Sequence, residues 1–412
     1  MEQPWYNLPK TNYSNSKAIV IGAGLAGTFV SYSLAKKGWN VTLIEKNKNL
    51  ASEASGNAAG IISPLISHKN DIIGKFYLEG FLQTIRHIKN LNKESVKLKH
   101  DFCGVLEISA DKIDKDIESL VVSNELIEKL SPSEASNICG QKLPNSALYI
   151  KKGGWVNPVE LCKANIEAYK NNIEVFYNSE VIKLINDNNK WSIIGEGGNV
   201  LAQSDIVIVA NSNDAKSFCQ TNWLPLTPVR GQITYLSNLN TTSKKVICYK
   251  GGYIIPQIDS INYVGATFDR KNRSGLTNDE DDRVNIDNLS KVIDVDGCEV
   301  EGSRASFRAT SPDRRPIIGA VPIKEKFLSD YDGIKHGKTN KRYPNGQYYS
   351  GLYVSTGFGS RGITGCSIAG EIIANMINNE PLPIDQKIMN SINPARFIIR
   401  DLKRNSNLQA YQ

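Results

Sequence analysis

The sequence holds no uninterrupted apolar stretch long enough to span a bilayer, so no membrane partner is expected. Met1-Glu2-Gln3-Pro4-Trp5-Tyr6 has neither the basic nor the apolar region of a secretory signal, and none is expected. Cysteine is sparse: seven residues, Cys103, Cys139, Cys162, Cys219, Cys248, Cys298 and Cys366, odd in number and widely spaced. They form no CxxC pair and no Cys/His cluster, so no metal site is expected. Scattered thiols fit a reducing, cytoplasmic location. Charge of one sign is not dominant: the formal net charge is +7 on 412 residues. A moderately basic surface attracts polyanions, and a lysine-rich solvated surface explains the same figure.

What is present is a chain 40% apolar and 22% charged, the balance of a soluble globular protein. Its length exceeds what one simple core organises, so two domains are expected. The clearest motif is Lys17-Ala18-Ile19-Val20-Ile21-Gly22-Ala23-Gly24-Leu25-Ala26-Gly27, followed by a helical pattern to Lys37 and a second apolar run, Val41–Ile44, closed by Glu45. Strand, glycine turn, helix, strand and acid in that order form a dinucleotide fingerprint in context. Gly22 permits the tight turn, Gly24 lets a pyrophosphate approach the backbone, and Gly27 lets helix and strand pack closely. The helix N-terminus offers N–H groups to phosphates, and Glu45 falls where an acid binds ribose hydroxyls. The fingerprint alone leaves NAD and FAD open.

Further along, residues 51–60 are a run of small side chains, suited to a flat ligand or to an ordinary loop. Residues 71–100 have helical spacing with a basic face. Residues 102–109 read as a strand and 111–139 as helical. Asn157-Pro158 reads as the start of a helix. The continuous apolar run Ile206–Ala210 reads as a buried parallel strand that returns to the sheet begun by Ile19–Ile21. From about Leu224 the periodicity becomes two, which favours an antiparallel sheet. Residues 278–282 read as an acidic turn, and 285–295 as a helix. Residues 301–319 read as a Pro-punctuated loop whose Arg304, Arg308, Arg314 and Arg315 suggest an anion partner. Residues 332–349 read as a basic, tyrosine-rich loop, suited to nucleic acid or merely solvated. A second strand, glycine turn and helix follow at 351–378, and the end of the chain reads as a basic amphipathic helix.

The order of the fingerprint, Ser55-Gly56-Asn57, the strand to Ala210 and the turn Gly357–Gly362 resembles the FAD-dependent amine oxidoreductases of the D-amino acid oxidase and glycine oxidase class. That resemblance implies an α/β plus antiparallel β fold, with a Rossmann-like FAD-binding domain and a discontinuous substrate domain. The expected division is a lead-in at 1–16, an FAD-binding domain at 17–100, 151–222 and 350–392, a substrate domain at 101–150 and 223–349, and a basic tail at 393–412. It implies non-covalent FAD held by Gly22, Gly24, Leu25, Ala26, Gly27, Glu45, Lys46, Ser55, Gly56, Asn57, Val181, Ala210, Gly357, Gly359, Ser360, Arg361, Gly362 and Ile363.

A narrower resemblance rests on Ala54-Ser55-Gly56-Asn57, Gly153–Pro158, Pro228-Val229-Arg230-Gly231-Gln232, Ser306–Arg314, His336-Gly337, Gly359–Gly362 and Asn393–Phe397. Together these are similar to the FAD domain of the bifunctional tRNA 5-methylaminomethyl-2-thiouridine biosynthesis proteins. That family's methyltransferase domain has no counterpart in this sequence, so a stand-alone oxidoreductase is expected, with methylation done by a separate methyltransferase partner or not at all. The resemblance implies oxidative removal of the carboxymethyl group from 5-carboxymethylaminomethyl(-2-thio)uridine at the tRNA wobble position, giving 5-aminomethyl(-2-thio)uridine and glyoxylate. Arg308 matches the carboxylate-binding arginine of glycine-oxidase-like proteins, with Arg230 and Arg361 as further catalytic candidates. A tRNA partner would be met by Lys335, Lys338, Lys341, Arg342, Arg396, Arg400, Lys403 and Arg404. The alternative is a small-molecule amine oxidase acting on glycine, sarcosine or a D-amino acid.

Overall fold

The computed structural model describes residues 3–8, 16–93, 96–108, 119–123, 125–336 and 342–404. The chain divides into two compact units: Met1–Ser52, Cys162–Thr227 and Ala309–Gln412 form the first, and Glu53–Leu161 and Pro228–Arg308 the second.

The first unit is built on a six-stranded sheet, in the order Ile317–Pro322, Tyr348–Thr356, Val207–Val209, Lys17–Ile21, Asn40–Ile44, Ile173–Phe176. All neighbours run parallel except the edge strand Ile317–Pro322, which pairs antiparallel with Tyr348–Thr356. The returning strand joins as its continuous apolar run requires, with Ile19 beside Val207 and Ile21 beside Val209. The helices Leu25–Ala35 and Gly362–Ile377 are buried almost throughout, which explains their small and apolar composition. They touch backbone to side: a Cβ at Gly370 would stand 2.5 Å from the Phe29 carbonyl oxygen. A three-stranded antiparallel sheet, Val181–Asp187, Lys190–Gly195 and Val200–Ser204, hangs between two strands of the main sheet in sequence.

The second unit holds an eight-stranded sheet ordered Glu299–Thr310, Thr227–Ser237, Asn262–Gly265, Gly252–Ile254, Val246–Tyr249, Val105–Ile108, Ala147–Ile150, Ile127–Leu130. Leu106, Ile108, Leu236, Ile247, Ile254 and Val264 form its core face, against Ala135 and Cys139 of the helix Pro132–Cys139 and Leu289 of the helix Asp279–Leu289. The helix Ile72–Lys93 and a small sheet of Gly60–Ile62, Gly154–Val156 and His100–Asp101 complete the unit.

Several expectations change. Residues 53–100 and 151–161 fall in the second unit and 309–349 in the first, because Ile317–Pro322 pairs with Tyr348–Thr356 of the first unit's sheet. The arginine-rich stretch 301–319 is two strands rather than a loop, Glu299–Thr310 and Ile317–Pro322. One face of the first strand is polar and carries Arg304, Ser306 and Arg308. Within 111–139, Ile127–Leu130 is a strand and the helix is confined to Pro132–Cys139, where Ser131 and Glu134 form a capping box; 111–118 lie outside the described residues. The acidic residues 279–282 are the first turn of a helix, capped by the Asn278 side chain, rather than a turn.

Candidate functional site

In the first unit the fingerprint has the close approaches its glycines imply. Gly22 lies at φ +99°, and a Cβ there would stand 2.8 Å from Asn211 Cα and 2.9 Å from the Ala210 carbonyl oxygen. A Cβ at Gly27 would stand 1.8 Å from the Gly22 carbonyl oxygen. Gly24 is the extended N-cap of the helix Leu25–Ala35 and supplies no side-chain cap. The second helix, Gly362–Ile377, also begins without a side-chain cap, after Arg361. Gly357 (φ +76°) and Gly359 (φ +57°) shape the turn before it, and the Gly359 N–H donates to the Ala309 carbonyl at 2.8 Å. The two helix starts are neighbours: a Cβ at Gly362 would lie 3.6 Å from Leu25 Cδ1. Two helix N-termini at one end of a parallel sheet concentrate positive dipole ends where an anionic ligand binds. Ile363 is buried, Arg361 partly buried and Ser360 exposed.

Glu45 is buried at the end of its strand. Its Oε2 accepts from the Ala23 N–H at 2.8 Å, and its Oε1 from the Asn47 N–H at 2.9 Å. Lys46 makes an exposed ion pair with Asp214 at 2.8 Å. Val181 and Ala210 are buried at strand ends. Asn211, whose Cα lies beside Gly22, and Asn213, two residues on, have Oδ1 atoms buried without a hydrogen-bond partner among the described residues. Orphaned buried acceptors beside a glycine cradle suit a polar ligand that donates to them.

The second unit contributes a different surface. Along Thr227–Ser237 the side chains alternate. Arg230, Gln232 and Thr234 face the helix Asp279–Leu289, while Gly231, Ile233 and Tyr235 face the other way. On that other face lies the Arg308 guanidinium, so near that a Cβ at Gly231 would stand 2.1 Å from Arg308 Nη1. Arg308 Nη1 donates to the Thr267 carbonyl at 3.1 Å. Arg308 is partly buried, and no carboxylate pairs with it among the described residues. Burial pulls its pKa down from the ordinary arginine value. Burial also pushes the Tyr253 phenol up to about 12 despite the opposing charge of Arg308, so Tyr253 stays a neutral O–H donor. On the same strand as Arg308, Ser306 Oγ is buried and unpartnered among the described residues. Arg304 Nη1 donates to Asn57 Oδ1 at 3.0 Å, and Nη2 donates to the Glu53 carbonyl, which ties the 53–57 loop with Ser55 and Gly56 to this strand.

Arg230 does not join Arg308. It is fully buried on the opposite face, where Nη1 pairs with Asp281, Nε donates to the Ser274 carbonyl at 2.9 Å, and Nη2 donates to Gln232 Oε1 at 2.9 Å and to the Leu276 carbonyl at 2.6 Å. Successive residues of a strand point to opposite faces, so the Arg230-Gly231 pair could not serve one site. Arg396 is likewise no surface cation. It is buried, with Nε 2.9 Å from Asp313 Oδ2 and Nη2 3.0 Å from the Arg315 carbonyl. The helix Arg396–Arg404 is docked rather than free, with Phe397, Ile398, Ile399 and Leu402 buried. Arg400 is partly buried and pairs with Asp401, and its guanidinium lies 5.0 Å from the Phe397 ring centroid. Lys403, Arg404 and Arg342 are exposed. Lys335 lies in the 3-10 turn Asp332–His336, and Lys338 and Lys341 lie outside the described residues.

The family described as "FAD dependent oxidoreductase" matches residues 17–376. The chain belongs to that family. Among curated proteins, this oxidoreductase is 31% identical over 417 residues to the "tRNA 5-methylaminomethyl-2-thiouridine biosynthesis bifunctional protein MnmC" of Pseudomonas putida (strain GB-1), covering 97% of this chain and 62% of that protein. It is 33% identical over 396 residues to the protein of the same name from Methylobacillus flagellatus, covering 94% of this chain and 60% of that protein. The chain thus spans about three fifths of the length of the relatives it matches. Among solved structures it is similar to glycine oxidase from Geobacillus kaustophilus, with a TM-score of 0.72 at 18% identity over 93% of this chain and 99% of that one. The FAD-dependent oxidoreductase thus has the glycine oxidase fold, the α/β plus antiparallel β class expected from its sequence. Among the described residues no helix is long and apolar enough to cross a membrane.

The alternation of Arg304, Ser306 and Arg308 is the signal that a sequence reading could have used to place them on a strand. The neutral Tyr253 near Arg308 had no such signal, because the two residues lie on strands that are distant in sequence and come together only in the folded sheet.

Proposed function

We propose that the chain removes the carboxymethyl group oxidatively from 5-carboxymethylaminomethyl(-2-thio)uridine at the tRNA wobble position, giving 5-aminomethyl(-2-thio)uridine and glyoxylate. The observation that carries this reading is Arg308: a partly buried cation with no carboxylate partner among the described residues, next to a neutral phenol. A cation so placed is satisfied by an incoming carboxylate, to which a guanidinium presents a planar fork. The names of the curated relatives support tRNA as the carrier of that carboxylate.

The glycine cradle at Gly22 and Gly27, the two helix starts whose N-cap residues supply no side-chain cap, and the orphaned Asn211 and Asn213 acceptors fit a dinucleotide. In this reading Gly22, Gly24, Leu25, Ala26, Gly27 and Glu45 hold the ADP portion of a non-covalent FAD, and Gly357–Ile363 contribute the second helix start. FAD, when bound, supplies the two-electron acceptor. Arg308 fixes the substrate carboxylate and the Tyr253 phenol donates to it, which orients the neighbouring methylene. A partly desolvated setting favours the amine in its unprotonated form. The methylene gives up a hydride and the nitrogen a proton; water then splits the C=N bond into the amine and glyoxylate. The resulting primary amine is a substrate for methyl transfer, so a methyltransferase is the expected partner. The scattered, unbridged cysteines support a cytoplasmic setting.

A second reading, a small-molecule amine oxidase for glycine, sarcosine or a D-amino acid, is favoured by the burial of Arg396, which withdraws one expected RNA contact. Arg308 serves any carboxylate beside an amine. Incubating the purified yellow protein with sarcosine and with tRNA bearing carboxymethylaminomethyluridine separates the two. Flavin bleaching by the tRNA with release of glyoxylate supports the first reading; bleaching by sarcosine alone overturns it.

A further inference from the structure

The loop that follows Thr267 carries the two most exposed large apolar side chains among the described residues. Phe268 is 57% exposed and Leu276 78% exposed, large apolar side chains held out into solvent. The Phe268 ring is flanked by cations: the Arg270 guanidinium carbon lies 5.6 Å from its centroid and that of Arg308 lies 6.0 Å away. Arg270, Lys271 and Arg273 are exposed.

The loop is built rather than slack. Asp269 Oδ1 accepts from the N–H groups of Lys271 at 2.7 Å and Asn272 at 3.1 Å, and Asn272 Oδ1 accepts from the Ser274 N–H at 2.8 Å. The backbones of Asp269 and Arg230 exchange hydrogen bonds of 2.8 and 2.9 Å. The buried Arg230 guanidinium grips the Ser274 and Leu276 carbonyls from beneath. Arg230 is therefore a positioning residue for this loop. The acidic groups nearby are engaged elsewhere: Asp269 by backbone N–H groups, Asp281 by Arg230, Glu280 by Arg283 and Asp282 by Thr234 and Ser303. Of the acidic run, Asp279 stands exposed beyond the loop.

We propose that Phe268 stacks a nucleobase of the RNA substrate beside Arg308, with Arg270 and Lys271 on its phosphates. This rests on the tRNA reading above and names the residues that recognise the RNA. An exposed ring flanked by cations is how proteins hold unpaired bases: the ring takes the base face and the cations take the backbone. A fixed loop loses little freedom when it binds. A wobble base must leave its stack to present its side chain to Arg308, and an exposed ring 6.0 Å from that guanidinium replaces the lost stacking. A free amino acid needs none of this.

The test uses the FAD-loaded full chain and an RNA stem-loop whose wobble uridine carries the carboxymethylaminomethyl group, with binding read by fluorescence anisotropy and oxidation by glyoxylate release. Phe268→Ala should weaken binding by about 5- to 150-fold, the range of one base–aromatic stack, and Phe268→Trp should restore it. Arg270→Ala with Lys271→Ala should reduce the slope of log affinity against log salt by about 1–2. If the wild-type protein binds and oxidises the RNA but Phe268→Ala binds equally well, or Phe268→Trp binds as poorly as Phe268→Ala, the stacking proposal falls and the tRNA reading stands. If the wild-type protein neither binds nor oxidises the RNA while it oxidises sarcosine, both fall.

Discussion

Gly231 leaves the space that the Arg308 guanidinium fills: a Cβ on Gly231 would stand 2.1 Å from Arg308 Nη1. The obstructed group is the far end of a flexible side chain, so Gly231→Ala should fold and keep FAD while pushing the guanidinium aside. The expected cost is on the order of 100-fold in kcat/KM, the penalty of displacing a positioning group by about an ångström. Steady-state kinetics together with the visible flavin spectrum check it.

Arg308→Ala should abolish turnover while the protein remains yellow. Arg308→Lys should recover part of the activity, because an ammonium supplies charge without the planar fork. Near-normal turnover in Arg308→Ala would remove this residue from the reaction.

Gly27→Ala tests the cradle. Its Cβ would meet a backbone carbonyl at 1.8 Å, which no side-chain adjustment relieves. The purified variant should lack bound flavin, measured as visible absorbance per polypeptide, and should not be restored by added FAD at the concentration that saturates the wild type.

Arg230→Ala should act on stability, because it leaves Asp281 and two backbone carbonyls without their buried cation. Removing one partner of a buried pair costs about 3–5 kcal/mol. Urea unfolding reads the loss. A fall in kcat with no change in stability or in RNA affinity would return Arg230 to the catalytic set.

The Arg396–Asp313 pair predicts acid sensitivity. Burial alone would raise the Asp313 carboxyl, but hydrogen bonds and charge from Arg396 outweigh it and hold the group below the ordinary carboxylate value. A carboxylate depressed in the folded state contributes stability above its unfolded pKa of about 4 and loses it as pH falls through the folded value. Wild-type stability should therefore decline below about pH 4 more steeply than that of Arg396→Met, and chemical denaturation across that range checks it. By contrast, Arg404→Ala, at an exposed residue, should leave the unfolding midpoint unchanged.

The glycine fingerprint was legible in the sequence because its requirements are local. A glycine turn between an apolar strand and a helix spans neighbouring residues, and Gly22, Gly24 and Gly27 sit where the spacing put them. The return of Val207–Val209 was legible too, since a strand buried on both faces is apolar throughout. The arginines resisted. Arg230, Arg304, Arg308 and Arg396 are one residue type, and nothing local separates a surface cation from a buried one.

By itself, then, the sequence determined the cofactor motif, the fold class and the positions of the arginines along the chain. Only the tertiary structure decided their tasks. Pairing of Thr227–Ser237 in its sheet sent Arg230 inward to Asp281 and left Gly231 as the gap for Arg308. Docking of the last described helix took Arg396 to Asp313. The physical reason is that a guanidinium's role depends on its partner and on its access to water. Both are set by residues tens to hundreds of positions away, which come together only when the sheets form.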